Sequence, residues 1–298
     1  MIYLILSILF SVLLLVNFRI FPKYGINTAQ AIALNYPVCF ISGYILMPAG
    51  QKFSMPLAEN WVWFSLLLGF GFIITFILSG ASTQKIGMTI TSLANNISLV
   101  IPVLFSLLVF NTGEIQFSGL NYFGLILAIL AIGIATFKSG DTGQQQANWL
   151  TTGGLALAVF LMYGITNTAI NYLNIKYIAD PSRTIPVTLV MIFGAIMGGL
   201  FLLLYNYFAK KEKLELKNLI AAISLGIPNF LSFYFLILTL GHFGNSGAFV
   251  YPVYNIGVIA VSALFSIIFF KEKISKLNTI GIALAILAIA LISWEKLF

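Results

Sequence analysis

Leu127-Ala-Ile-Leu-Ala-Ile132 is spelled again, letter for letter, at Leu284-Ala-Ile-Leu-Ala-Ile289, and Gly124 stands before the first copy as Gly281 does before the second. Apolar low complexity could produce that identity alone. The residues leading up to it could not. At an offset of 160, Ile77-Leu78-Ser79 falls on Ile237-Leu238-Thr239, Gly87 on Gly247, Asn95 on Asn255, and Leu104-Phe105-Ser106 on Leu264-Phe265-Ser266. After two fewer residues at the next turn, Glu114 meets Glu272. An ordered series of small, polar and acidic matches marks a duplicated unit. The expected division is a first half over 1–137, a linker over 138–149 and a second half over 150–298.

The composition says where such a chain lives. Of 298 residues, 60% are hydrophobic and 8% charged, with mean hydropathy +1.03. A soluble domain is about a quarter charged, so this chain lacks the polar atoms to cover a water-exposed globule. A soluble enzyme, a disordered regulator and a nucleic-acid binder are excluded. The net charge of +7 comes from 15 Lys and Arg scattered along the chain, which make no dense basic patch. The lone Cys39 excludes an internal disulfide and a Cys-based zinc site, and reads as a small buried hydrophobe.

A membrane-spanning helix needs about 20 mostly apolar residues. Ten such runs are present, over 2–21, 27–48, 61–83, 87–110, 117–137, 150–173, 183–208, 218–240, 245–270 and 277–294. Strand-length alternation is absent, so a barrel does not compete. The fold class expected is an all-α integral membrane protein of ten transmembrane helices. The first run, with no basic region before it and no small-residue cleavage site, is expected to be a retained helix. Five helices per half put the second half into the membrane in the opposite direction. Inverted repeats of this kind characterise secondary transporters, whose site lies near the midplane between the halves.

The sequence resembles the drug/metabolite transporter superfamily in its ten-helix EamA-like branch. Besides the two five-helix halves, the resemblance rests on Pro102-Val-Leu-Phe-Ser-Leu-Leu-Val-Phe-Asn-Thr-Gly-Glu114 leading to Gly124, and on Ala263-Leu-Phe-Ser-Ile-Ile-Phe-Phe-Lys-Glu272 leading to Gly281. It covers essentially the whole chain. It implies transport, with amino acids, sugars, nucleotide sugars, phosphorylated sugars and drugs among the cargoes of the superfamily. Where many relatives look to carry an Arg in the second helix, this chain has Gln30 and Asn35-Tyr36.

Intramembrane polar residues usually face the bundle interior or a wet cavity. The fourth run places Ser92, Asn95, Asn96, Pro102 and Ser106 on one stripe, and the ninth does so with Gly247, Tyr251, Tyr254, Asn255, Ser262 and Ser266. Asn95 and Asn255 are repeat mates, so inversion brings them to opposite sides of one central space. The sixth run adds Tyr163, Thr166, Asn167, Asn171 and Asn174; the third and eighth add Ser79, Thr239 and Asn229. The substrate-binding set expected is Asn95, Asn96, Asn167, Tyr163, Tyr251, Tyr254, Asn255 and Asn229, with Pro102, Pro228 and Pro252 as kink or gating positions. The bland alternative, that Ser, Thr and Asn only bridge helices at about 0.6 kcal/mol each, is preferred for single Ser and Thr residues. Amides and tyrosines suit a zwitterionic or polyhydroxylated solute.

Every acid sits at a run end or in a gap, so a buried proton-carrying carboxylate is not expected. Glu114 and Glu272 are read as helix-start acids that complement the dipole of the next helix. Lys85 is read as snorkelling, and His242 as a weak proton-shuttle candidate. Eleven of the fifteen basic residues fall in odd-numbered loops, which predicts those loops in the cytoplasm and both termini outside; the resemblance predicts the reverse. The Gly- and Ala-rich fifth and tenth runs suit close packing, within the monomer or at a homodimer face. The function expected is secondary transport of a small polar metabolite such as an amino acid, by alternating access in a cell inner membrane. A sugar or nucleotide-sugar carrier and a non-transporting scaffold or receptor are the alternatives. Neither a nucleophile–base pair nor a metal constellation is legible at depth, so no enzyme, metal or cofactor is expected.

Overall fold

Backbone groups in hydrocarbon must bond to one another, and uninterrupted apolar runs do this as helices. The computed structural model describes residues 1–105, 118–136, 149–177, 183–243 and 247–294, and no strand occurs among them. Its helices are α1 (Ile2–Ile20), α2 (Thr28–Ile45), α3 (Asn60–Lys85), α4 (Met88–Ile97), α5 (Val100–Phe105), α6 (Gly119–Thr136), α7 (Trp149–Tyr177), α8 (Thr184–Lys210), α9 (Leu216–His242), α10 (Gly247–Phe270) and α11 (Lys276–Ile292). Each apolar run of the sequence corresponds to one of these helices, except that the fourth is divided between α4 and α5. Among the described residues seven spans are long and apolar enough to cross a membrane: Ile2–Tyr24, Asn60–Lys85, Met88–Phe105, Gly153–Tyr177, Thr184–Lys210, Leu216–His242 and Val250–Phe270. Gly119–Ala135 and Lys276–Ile292 are apolar but shorter. The protein is an all-helical, multi-pass membrane protein.

The division of the fourth run has a local cause. Pro102 has no N–H for the Ser98 carbonyl, and a proline ring crowds the carbonyl four residues before it. The chain answers by tightening there, with Ile101 N–H donating to Ser98 O at 3.0 Å, and the helix breaks at Ser98–Leu99. Pro228 and Pro252 lie inside the unbroken α9 and α10.

Two clusters carry most of the packing. One gathers α1, α2, α3, α8 and α9 around Phe18, Ile32, Tyr36, Leu189 and Leu225. The other gathers α4, α6, α7, α10 and α11 around Leu93, Ala128, Val159, Ile259 and Ala288. Within it α6 and α11 run antiparallel in close contact. A Cβ on Gly124 would stand 2.9 Å from Ile292 N, and one on Gly281 2.6 Å from Ala135 Cβ. Two amides close the ends: Asn121 Nδ2 donates to Ile292 O at 2.9 Å and to Leu291 O at 3.1 Å, and Asn278 Nδ2 donates to Ala135 O. At each N-terminus the serine three residues earlier donates through its hydroxyl to the same asparagine, Ser118 to Asn121 and Ser275 to Asn278. The small-residue faces of the fifth and tenth runs therefore meet inside one chain.

Candidate functional site

The site builds up from α4 and α10, which pack against each other with Ser92 Oγ donating to Val258 O at 3.4 Å. Asn95 lies one turn further along α4 and Asn255 one turn earlier on α10. Both are half-buried, and neither side-chain amide makes a hydrogen bond to a described residue. Tyr254, one residue before Asn255, shares a hydrogen bond with Ser11 of α1, the hydroxyl oxygens 2.6 Å apart. Tyr163 of α7 lies within electrostatic reach of Tyr254, of Tyr36 on α2, and of Ser79 on α3. Tyr36 is 2% exposed, its ring lies 5.8 Å from that of Phe76, and its hydroxyl has no hydrogen-bond partner among the described residues. Three phenol rings from α2, α7 and α10 thus converge with two serines from α1 and α3. They offer neutral donors, acceptors and aromatic faces, and no formal charge.

The other expected residues are placed as follows. Asn167 is half-buried on α7, one turn beyond Tyr163, and Tyr251 is 46% exposed. Asn96 turns back into α4, donating to Ser92 O at 2.7 Å. Asn229 reaches across to α2 and donates to Asn35 Oδ1 at 2.9 Å. Thr166, Thr239 and Ser262 bond to carbonyls of their own helices, the bridging and back-bonding behaviour expected of single hydroxyls. Ser106 and Glu114 lie outside the described residues, as does the side chain of Asn174. Among the described residues no three His, Cys, Asp or Glu side chains come together as metal ligands.

Ser11 and Tyr36 were not among the residues expected, and neither was a contribution from α1 or α2. Ser11 is a single hydroxyl in an apolar run, which carries no directional signal. For Tyr36 a signal existed: Gln30, Asn35 and Tyr36 set two amides and a phenol inside the second run. Gln30 donates to Lys213 O at 3.0 Å and accepts from Asn218 Nδ2 at 2.7 Å, while Asn27 donates to Glu212 Oε2 at 2.9 Å. The α2 polar residues thus tie the first half to the second.

Glu272 corrects a reading. It does not serve the next helix, α11, whose N-terminus is closed by a capping box between Ser275 and Asn278. Its carboxylate instead accepts from the Thr89 hydroxyl at 3.2 Å, in the first turn of α4. Gly87, at φ +107°, makes the room: a Cβ there would lie 1.5 Å from Glu272 Oε1. Burial holds the Glu272 carboxyl above the usual carboxylate range, partly offset by the Arg19 charge and by this hydrogen bond. Lys85 and His242, the two weaker candidates, are exposed, His242 edge-on to Phe243 with ring centres 5.3 Å apart.

A protein of Haemophilus influenzae described as uncharacterized is 30% identical over 291 residues, covering 96% of this chain and 95% of that protein. A solved crystal structure shares the fold at TM-score 0.59 and 13% identity, with 96% of this chain and 97% of that one aligned. The model of the EamA-like transporter family matches residues 150–294, which hold Asn167, Asn229, Tyr251, Tyr254, Asn255 and Glu272. The family match and the Haemophilus relative give the class: the chain belongs to the EamA-like transporter family, membrane transporters of the drug/metabolite type.

Proposed function

We propose that the protein moves a small, polar, net-neutral metabolite, with an amino acid as the leading class, through a central site by alternating access. Ten helices act as two inverted five-helix halves, and the solute is held by Tyr163, Tyr254, Asn95, Asn255 and Asn167, with Tyr36, Ser79 and Ser11 completing the wall. The observation that carries this reading is that half-buried Asn95 of α4 and Asn255 of α10, one from each half, flank the contact of those helices at Ser92 and Val258, beside Tyr254 on its bond to Ser11. Inversion is supported by the matched pair α6 and α11, where residues 157 apart in sequence, Asn121 and Asn278, do the same thing at opposite ends of one antiparallel contact. It is supported again by packing: α1 lies on α9 and α10 as α7 lies on α3 and on α4 and α5.

A sugar is the second reading, favoured by phenol rings and hydroxyls in a wall whose Asn96 and Asn229 amides are engaged elsewhere. The inner membrane is the proposed location, with the odd-numbered loops in the cytoplasm as the basic residues indicate. The outer faces of α6 and α11, with Phe123, Ile126 and Leu287 exposed, are the proposed homodimer surface.

Counterflow into proteoliposomes preloaded with a pooled metabolite library tests the reading. Exchange of one polar class, reduced severalfold by Asn95→Ala and by Asn255→Ala in normally folded protein, is the expected result. Unaltered exchange in both variants removes the site, and no exchange of any solute removes the transport assignment in favour of a scaffold.

A further inference from the structure

The junction of Glu272 with the start of α4 is the place where the end of α10 grips the helix that carries Ser92, Asn95 and Asn96. Glu272 N–H closes the end of α10 on Ser266 O at 3.1 Å, so the carboxylate sits on a fixed stem. Its side chain lies over the bare α-carbon of Gly87, against the Thr89 hydroxyl of the opposite half. Arg19 of α1 sits at the same junction; its Nη1 donates to the Thr83 and Gln84 carbonyls at 3.3 and 3.4 Å, fastening the end of α3. No residue of the central site takes part in these contacts. Movement of α4 relative to α10 has to take the carboxylate away from Gly87.

We infer that Glu272 is a proton-linked latch between the two halves: the junction closes on a protonated carboxyl and, on opening, releases that proton to water at the face of the odd-numbered loops. The inference rests on the alternating-access reading above. Its chemistry is a single protonation, a carboxylate taking a proton from water at that face and returning it there. Arg19 from α1 is the charged group that acts on the carboxyl, while Lys271 and Lys273 flank it in sequence, Lys85 ends α3 and Lys276 opens α11. The Thr89 hydroxyl from α4 is uncharged. Burial dominates over Arg19 and that hydroxyl, so the closed junction binds a proton more readily than a hydrated glutamate does. By linkage, acid favours the closed junction, and rising pH favours the open one in which the ionised carboxylate is hydrated. The sequence reading placed every acid at a run end or in a gap and did not foresee this partly buried junction.

The experiment needs no known substrate. In a Cys39→Ser background, Thr83→Cys places a thiol at a fully buried position directly beneath the junction, and maleimide labelling from the odd-loop face reports opening. Labelling, taken relative to that of an exposed control cysteine at the same pH because the thiolate itself reacts faster as pH rises, should rise with pH, by at most about tenfold per pH unit for a single linked proton. Glu272→Gln, which keeps the shape without the charge, should label slowly at every pH. Gly87→Ala, whose Cβ displaces the carboxylate, should label fast at every pH. Labelling that ignores pH in the parent, or a pH response that survives Glu272→Gln, overturns the latch. Counterflow on the same preparations separates the two ideas: exchange with pH-independent labelling sinks only the latch, and absent exchange sinks the transport reading.

Discussion

The hydroxyl oxygens of Ser11 and Tyr254 lie 2.6 Å apart, joining the first helix to the one that carries Asn255. One bond of this kind between helices contributes about 0.6 kcal/mol, so either partner can be removed without unfolding the protein. Ser11→Ala and Tyr254→Phe should lower detergent thermostability slightly and to the same degree. Tyr254→Phe alone removes a phenol from the central wall, and should reduce counterflow about tenfold or more, in line with the loss of a buried hydrogen bond to solute. Equal effects on counterflow would place the role in the helix contact.

Asn95 and Asn255 are half-buried with amides that make no bond to a described residue. Truncating either to Ala should leave thermostability within about 0.5 kcal/mol of the parent. Counterflow should fall severalfold in each. Asn229→Ala gives the contrast, because it strands Asn35 inside the packed α2–α9 contact; its main effect should be on stability, about 1–2 kcal/mol.

Asn121→Leu and Asn278→Leu remove matched contacts between α6 and α11. Each leaves a helix-end carbonyl without its donor, and each should lower thermostability by about 1–2 kcal/mol. The two variants should resemble one another closely. A large difference between them would argue against the inverted pairing.

Glu272 gives stability a direction in pH. Its carboxyl lies above the usual carboxylate range in the folded protein, chiefly through burial. A raised carboxyl binds its proton more tightly folded than unfolded, so its favourable contribution is full below the ordinary glutamate value and is lost as pH rises through the folded one. Detergent melting should therefore fall from acid to neutral pH in the parent. Glu272→Gln should flatten that part of the profile.

Much of the architecture could be read from residues alone. Run length fixed the helices to within a few residues, since no other structure keeps an apolar backbone bonded in lipid. Contacts set by the fold were another matter. Glu272 stands four residues before α11 in the chain, and only the packing of α10 on α4 brings it to Gly87. Asn229 carries the same chemistry as Asn255, and nothing local says that Asn35 will occupy it. In helices apolar all round, no periodic face marks the inside, so the inward position of Ser11 is invisible. The Ser118-x-x-Asn121 and Ser275-x-x-Asn278 pairs were open to view at the offset of 157 shared by Gly124 and Gly281. They are small enough to pass for loop residues.

The α6–α11 contact also fixes a timetable. Asn121 is made before the second half exists, and the carbonyls that receive it belong to Leu291 and Ile292, 170 and 171 residues later. Until α11 leaves the ribosome, the amide of Asn121 must find another acceptor. Ala135 likewise waits for Asn278. α11 thus completes a contact begun in α6, and a chain truncated before Ile292 would leave the Asn121 amide without these acceptors.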